Sequence, residues 1–222
     1  MSGVHTIETR THGRYLVGAP HGPGPHPWLV GFHGQSETAA MQMEALQAMR
    51  PGPAWGLASV QGLHRYYTRA GGVVAGWMTR EDRELAIGDN IAYVAAVVAA
   101  LAGAHGPMAA LCYSGFSQGV AMAYRAAAFS GPPCAALVLL AGDVPPDVVP
   151  VAGGLPPILL GRGARDPLYG DATAERDRAR LAAAGAAVDY MEFDAAHAYA
   201  AAFTDRARAF LDALVREAPP AP

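Results

Sequence analysis

An α/β fold with a mostly parallel central sheet flanked by helices is predicted by three features of the sequence. Apolar runs of strand length alternate with helical stretches from Trp28 to the last helix. The strand runs, such as Trp28 to Phe32 and Ala135 to Ala141, are apolar throughout, as strands covered on both faces are. Gly and Pro punctuate most of the joints between them.

Taken in order, Val4 to Arg10 and Arg14 to Val17 read as two strands joined by a His-Gly turn, forming an antiparallel edge. Trp28 to Phe32 reads as a buried strand. Ser36 to Met49 has helical spacing, with Ser36 as N-cap and Pro51 beyond the stop. Ala54 to Val60 is a strand, Gly62 to Thr79 an irregular aromatic loop, and Arg80 to Ala102 a long helix. Met108 to Tyr113 and Gln118 to Phe129 form the next strand and helix. Ala135 to Ala141, Ile158 to Leu160 and Val188 to Phe193 are strands. Ala172 to Ala184 and Tyr199 to Arg216 are helices, and a Pro-rich tail follows. With 222 residues, no repeat and no linker, residues 1–222 read as a single domain.

Composition narrows the function. Hydrophobic residues make up 52% and charged residues 16%, enough for a sizeable core and too apolar for disorder. A net charge of −3 gives no footprint for nucleic acid. No lysine is present, which excludes Schiff-base, P-loop and Ser–Lys chemistry. Cys112 and Cys134 lie beside apolar runs without metal-ligand spacing, so they read as core thiols of a reducing, cytoplasmic compartment. Met1 to Arg10 lacks the apolar stretch of a signal peptide. Ile91 to Tyr113 is nearly uncharged, but Gly106-Pro107 splits it, so neither part is expected to span a bilayer and no stable membrane insertion is expected.

The chemistry concentrates in a few places. Gly115-Phe116-Ser117-Gln118-Gly119 fits G-x-S-x-G between a strand and an Ala-rich helix, the setting of a nucleophile elbow. A serine hydroxyl needs a base, and of eight histidines only His197 follows Ser117 in the chain, just past the last strand. The acid that orients the imidazole is placed at Asp166, after the Ile158 strand. Asp143, after the preceding strand, is the rival, and Asp194 is too near His197 in sequence. Oxyanion donors are assigned to the N–H groups of Gln118, at a helix start, and Gln35, in Phe32-His33-Gly34-Gln35. His33 is expected to hold that loop rather than act as a base. Tyr66, Tyr67, Trp77 and Met78, in the loop with His64, are expected to wall a substrate pocket or else to pack over the sheet edge. Arg65 and Arg69 are weighed as binders of an anionic substrate group against a solvated role.

Phe32 to Gln35, Gly115 to Gly119, Gly161 to Asp166 and His197 together resemble the phospholipase/carboxylesterase group of the α/β-hydrolase superfamily, which includes bacterial carboxylesterases and acyl-protein thioesterases. Trp77, ahead of the Arg80 helix, resembles a tryptophan found there in the group. The elbow continues Gly119-Val120 where the group often has a second glycine, and His197 lies in Ala-Ala-His-Ala rather than Gly-His-Glu. The resemblance implies an α/β-hydrolase fold and a serine esterase needing no metal or organic cofactor. Its expected partner is a small-molecule ester; the sequence does not fix an oligomeric state. Only about 16 residues separate the Ala135 strand from the next, so no large cap domain is expected. The alternatives carried with this reading are a thioesterase or lysophospholipase for longer acyl chains, a small peptidase, and a catalytically silent binding domain.

Overall fold

The computed structural model describes residues 3–217; the Pro-rich tail lies outside the described residues. In chain order the strands are β1 (Tyr15–Gly18), β2 (His26–Phe32), β3 (Gly56–Val60), β4 (His64–Tyr67), β5 (Val73–Gly76), β6 (Met108–Phe116), β7 (Ala136–Leu140), β8 (Ile158–Gly163) and β9 (Val188–Phe193). The helices are α1 (Ala39–Met49), α2 (Arg83–His105), α3 (Gln118–Phe129), α4 (Asp171–Ala183) and α5 (Ala201–Glu217), with a short 3-10 helix at Val149–Gly154.

Seven strands form one sheet in the order β1-β3-β2-β6-β7-β8-β9. All its pairings are parallel except that of β1 with β3. Period-two alternation sorts the side chains into two cores. Trp28, Val30, Phe32, Tyr113, Leu137, Leu139 and Leu160 point to one face, with Val94 and Val98 of α2 and Met122 and Ala123 of α3. Leu29, Cys112, Val138, Leu140 and Leu159 point to the other, against Leu46 of α1 and Phe203 and Leu211 of α5. Strand order reverses at β2, with β3 on one side and β6 on the other. The carboxyl ends of β2 and β6 therefore flank a topological switch point, the usual crevice for ligands in an open sheet.

Several boundaries differ from expectation. Val4 to Arg10 forms no strand: Val4 and Ile7 are almost fully exposed, and β1 alone closes the edge against β3. The cap of α1 is Thr38, whose hydroxyl accepts the Met41 N–H at 3.3 Å. Ser36 instead has a positive φ of 64° and donates its N–H to the Ala75 carbonyl. Within Gly62 to Thr79 lies an antiparallel hairpin, β4 with β5, turned at Gly71 with φ +82°. Helix α2 is longer than the uncharged run, because Arg83, Glu84 and Asp89 extend it at its start. Its 23 residues meet the length and composition of a membrane span, contrary to expectation. One face, Ala86, Asn90, Val94, Val97, Val98 and Leu101, is nevertheless buried, the spacing of a helix seated on a core. Between β7 and β8 the chain makes only the 3-10 helix, with no cap domain.

Candidate active site

Strand β6 runs into α3 through one residue, Ser117, whose backbone sits at φ 52°, ψ −120°. A non-glycine residue there is strained by on the order of 1–3 kcal/mol and persists only where its surroundings enforce it. Those surroundings are tight. The Ser117 N–H donates to the Leu140 carbonyl at 3.0 Å, and the Ser117 carbonyl accepts the Val120 N–H at 3.0 Å. A Cβ on Gly115 would fall 2.4 Å from the Gly119 carbonyl oxygen, and one on Gly142 would fall 2.4 Å from that of Ser117. Glycine at these positions lets β6, α3 and the turn after β7 close around the serine.

His197 follows β9, and its Nδ1 lies 2.8 Å from Asp166 Oδ2. Asp166 is buried in a turn after β8, where its Oδ1 accepts the Leu168 and Tyr169 N–H groups at 2.8 and 2.9 Å. Burial pushes this carboxyl up, but those N–H groups and the imidazole outweigh it and hold it below the usual carboxylate range. An ionised carboxylate only accepts, so Nδ1 carries the proton and Nε2 presents its lone pair. Ser117 and His197 line one cleft of about 370 Å³, together with Gln118, Gly142, Asp143, Tyr169, Thr173 and Arg176. Asp143 stands exposed on the rim of that cleft, whereas the imidazole bonds to Asp166; Asp194 pairs with Arg165 at the surface.

The loop after β2 is held from several sides. The Gly62 N–H donates to His33 Nε2 at 2.9 Å, which fixes the tautomer so that Nδ1–H donates to the Gly34 carbonyl at 2.7 Å. Burial pushes the His33 imidazole down, in keeping with this neutral holding role. Glu37 accepts the Gly34 N–H at 2.7 Å, and Ala75 accepts that of Ser36 at 3.0 Å. With both neighbours committed, Gln35 supplies the loop's candidate oxyanion N–H. Its side chain donates to Tyr66 Oη at 2.6 Å, and Ser36 Oγ lies 2.8 Å from the same oxygen. Gln118 begins α3, where the helix dipole favours negative charge. Its amide accepts the Trp77 N–H at 2.8 Å and donates to the Met78 carbonyl at 3.1 Å.

Of the four residues expected to wall a pocket or to pack over the sheet edge, two are buried and two lie on the hairpin. Trp77 is fully buried, its indole N–H donates to the His33 carbonyl at 2.8 Å, and its ring lies edge-on to Phe32. Met78 is buried with its sulfur towards Arg125. Tyr67 projects into solvent from the hairpin, and Tyr66 is the hairpin's tie to the oxyanion loop. None of the four lines the cleft that holds Ser117 and His197; the wall comes from the turn after β7 and from α4. Sequence reasoning missed Thr173 and Arg176, which only the packing of α4 brings there, and Glu37, which the Gly-x-x-Glu spacing in a tight loop could have signalled. Arg65 and Arg69 lie on the hairpin, away from the cleft.

No family model matches the chain, and no curated protein matches it by sequence. Solved structures do resemble it. Acyl-protein thioesterase 2 of Zea mays aligns at TM-score 0.68 and 20% identity, over 92% of this chain and 100% of that one. A Bacillus cereus carboxylesterase aligns at 0.71 and 16%, over 91% and 94%. Esterase PE8 aligns at 0.65 and 22%, over 91% and 98%. The fold is the α/β-hydrolase fold. In this fold Ser117 follows β6, Asp166 follows β8 and His197 follows β9, all at one edge of the sheet.

Proposed function

We propose that this chain is a serine hydrolase that cleaves carboxylic esters through Ser117, His197 and Asp166. The observation that carries the reading is the 2.8 Å bond from His197 Nδ1 to a buried Asp166, in one cleft with a serine held in a strained turn. The similarity to esterases and a thioesterase of the same fold supports it.

His197 Nε2 takes the Ser117 proton as Oγ attacks the acyl carbonyl carbon. The Gln118 and Gln35 N–H groups receive the oxyanion of the tetrahedral intermediate. Collapse expels the alkoxide, which leaves as the alcohol with the proton from His197 Nε2. Water then attacks the acyl-enzyme by the same route, releasing the acid and restoring the serine. Asp166 stays ionised throughout and stabilises the imidazolium. No step calls on a metal or organic cofactor.

Ser117→Ala should abolish p-nitrophenyl acetate or butyrate turnover by several orders of magnitude, and a fluorophosphonate should label the wild type at Ser117 alone. Full activity in the variant sinks the reading; an unreactive serine favours the silent binding domain. The likeness to a thioesterase gives a second reading, hydrolysis of longer acyl thioesters. A chain-length series on esters and thioesters separates the two.

A further inference from the structure

Among the side chains lining the Ser117 cleft, one carries a permanent positive charge: Arg176. It lies on α4 one turn after Thr173, and the i, i+3 spacing puts both on the cleft face. Arg176 is held there by a built support. Asp177 is fully buried, and its Oδ1 accepts from Arg176 Nε at 3.2 Å and lies 3.2 Å from Nη2. Its Oδ2 accepts the Val144 N–H at 3.0 Å, which ties α4 to the segment that carries Gly142 and Asp143. The carboxylate is thus spent on positioning the guanidinium by one edge, leaving the Nη1 hydrogens for another acceptor. Arg180 also approaches Asp177 Oδ1, at 3.8 Å, so two arginines share one buried carboxylate and the cluster keeps a positive surplus. The opposing charge on the rim is the exposed carboxylate of Asp143.

We infer, building on the hydrolase reading, that the preferred substrate is a short ester bearing a carboxylate, which Arg176 binds with Thr173 beside it. A guanidinium presenting a free edge matches a carboxylate in shape and charge. With Asp143 counted the local charges balance, so one free guanidinium edge suits a monoanion better than a phosphate dianion. The apolar part of the lining is small, Ala141, Leu168 and Tyr169, with Leu168 largely exposed, so it gives a short acyl group more cover than a long tail.

Two substrate pairs test this. On the acyl side, the mono-p-nitrophenyl ester of adipic acid is compared with p-nitrophenyl hexanoate. On the alcohol side, 4-acetoxybenzoate is compared with its methyl ester. In at least one pair the wild type should favour the anion, and Arg176→Gln should lower the anionic-to-neutral ratio of kcat/KM by about ten-fold, mainly through KM. Arg176→Lys should keep part of the preference, which separates lost charge from lost folding. Asp143→Asn should raise the ratio by removing the repelling carboxylate. If neither pair shows a ratio that depends on Arg176 while neutral esters are still cleaved through Ser117, the inference is overturned and the hydrolase reading stands. If cleavage of both members survives Ser117→Ala, the hydrolase reading fails and takes the inference with it.

Discussion

Gly119 and Phe32 approach so closely that a Cβ on the glycine would lie 2.1 Å from the phenylalanine's carbonyl oxygen. This contact brings the first turn of α3 against the end of β2, and so sets the Gln118 and Gln35 N–H groups on neighbouring segments. Gly119→Ala would push backbone against backbone, where no side chain can swing aside. Overpacking typically costs about 1–3 kcal/mol, and a rigid backbone obstacle puts this case at the upper end. Thermal unfolding of the variant should show the loss as a lower Tm, with esterase turnover reduced at temperatures where it remains folded.

Asp166→Asn tests the tautomer argument. An amide in that position can donate to Nδ1, which would place the imidazole proton on Nε2 and remove the base. Turnover of p-nitrophenyl acetate should fall by on the order of 10³–10⁴-fold, while the fold survives because one side-chain oxygen can still accept the Leu168 and Tyr169 N–H groups. Circular dichroism beside steady-state kinetics checks both halves of that statement.

Tyr66 touches Gln35 and Ser36 but does not line the cleft. Tyr66→Phe removes both hydrogen bonds and keeps the ring. If these bonds align the Gln35 N–H with the developing oxyanion, kcat should drop by about five-fold with KM nearly unchanged, the signature of an interaction felt in the transition state. An unaltered kcat would assign the hydroxyl to loop stability only.

The Arg125–Asp147 pair gives a pH-dependent expectation. Arg125 of α3 is fully buried and grips Asp147 with two bonds of 2.7 Å. The hydrogen bonds from the guanidinium hold the Asp147 carboxyl below its ordinary value, against the upward push of burial. A carboxyl depressed by folding adds stability above its unfolded value, near pH 4, and loses it as pH falls through the lower folded value. Asp147→Asn should therefore lower Tm at neutral pH, and the gap to the wild type should close as the solution is taken below about pH 4. A gap that persisted at low pH would show that the charge is not what Arg125 uses.

The parallel sheet was readable because apolar runs between Gly and Pro report strands buried on both faces, as in β2, β7 and β8. The shared position of Ser117, Asp166 and His197 was readable because each lies just past a strand, where order along the chain maps onto one sheet edge. The hairpin hid in plain composition: His64 to Tyr67 is exposed and short, and its pairing with Val73 to Gly76 rests on a turn at Gly71-Gly72. Trp77 shows the limit of residue type as evidence. An aromatic beside an active loop suits a pocket wall or a buried brace equally well, and only the indole bond to His33 decides between them. Arg176 was invisible because its place depends on how α4 rotates over the sheet, which no local pattern encodes.

Gln118 makes the nucleophile turn and the hairpin mechanically one. Its amide clasps the Trp77 and Met78 backbone just past β5, while its own main chain follows the serine. The arm that carries Tyr66 and Tyr67 is thereby moored to the turn of Ser117 by two side-chain bonds that bypass the sheet.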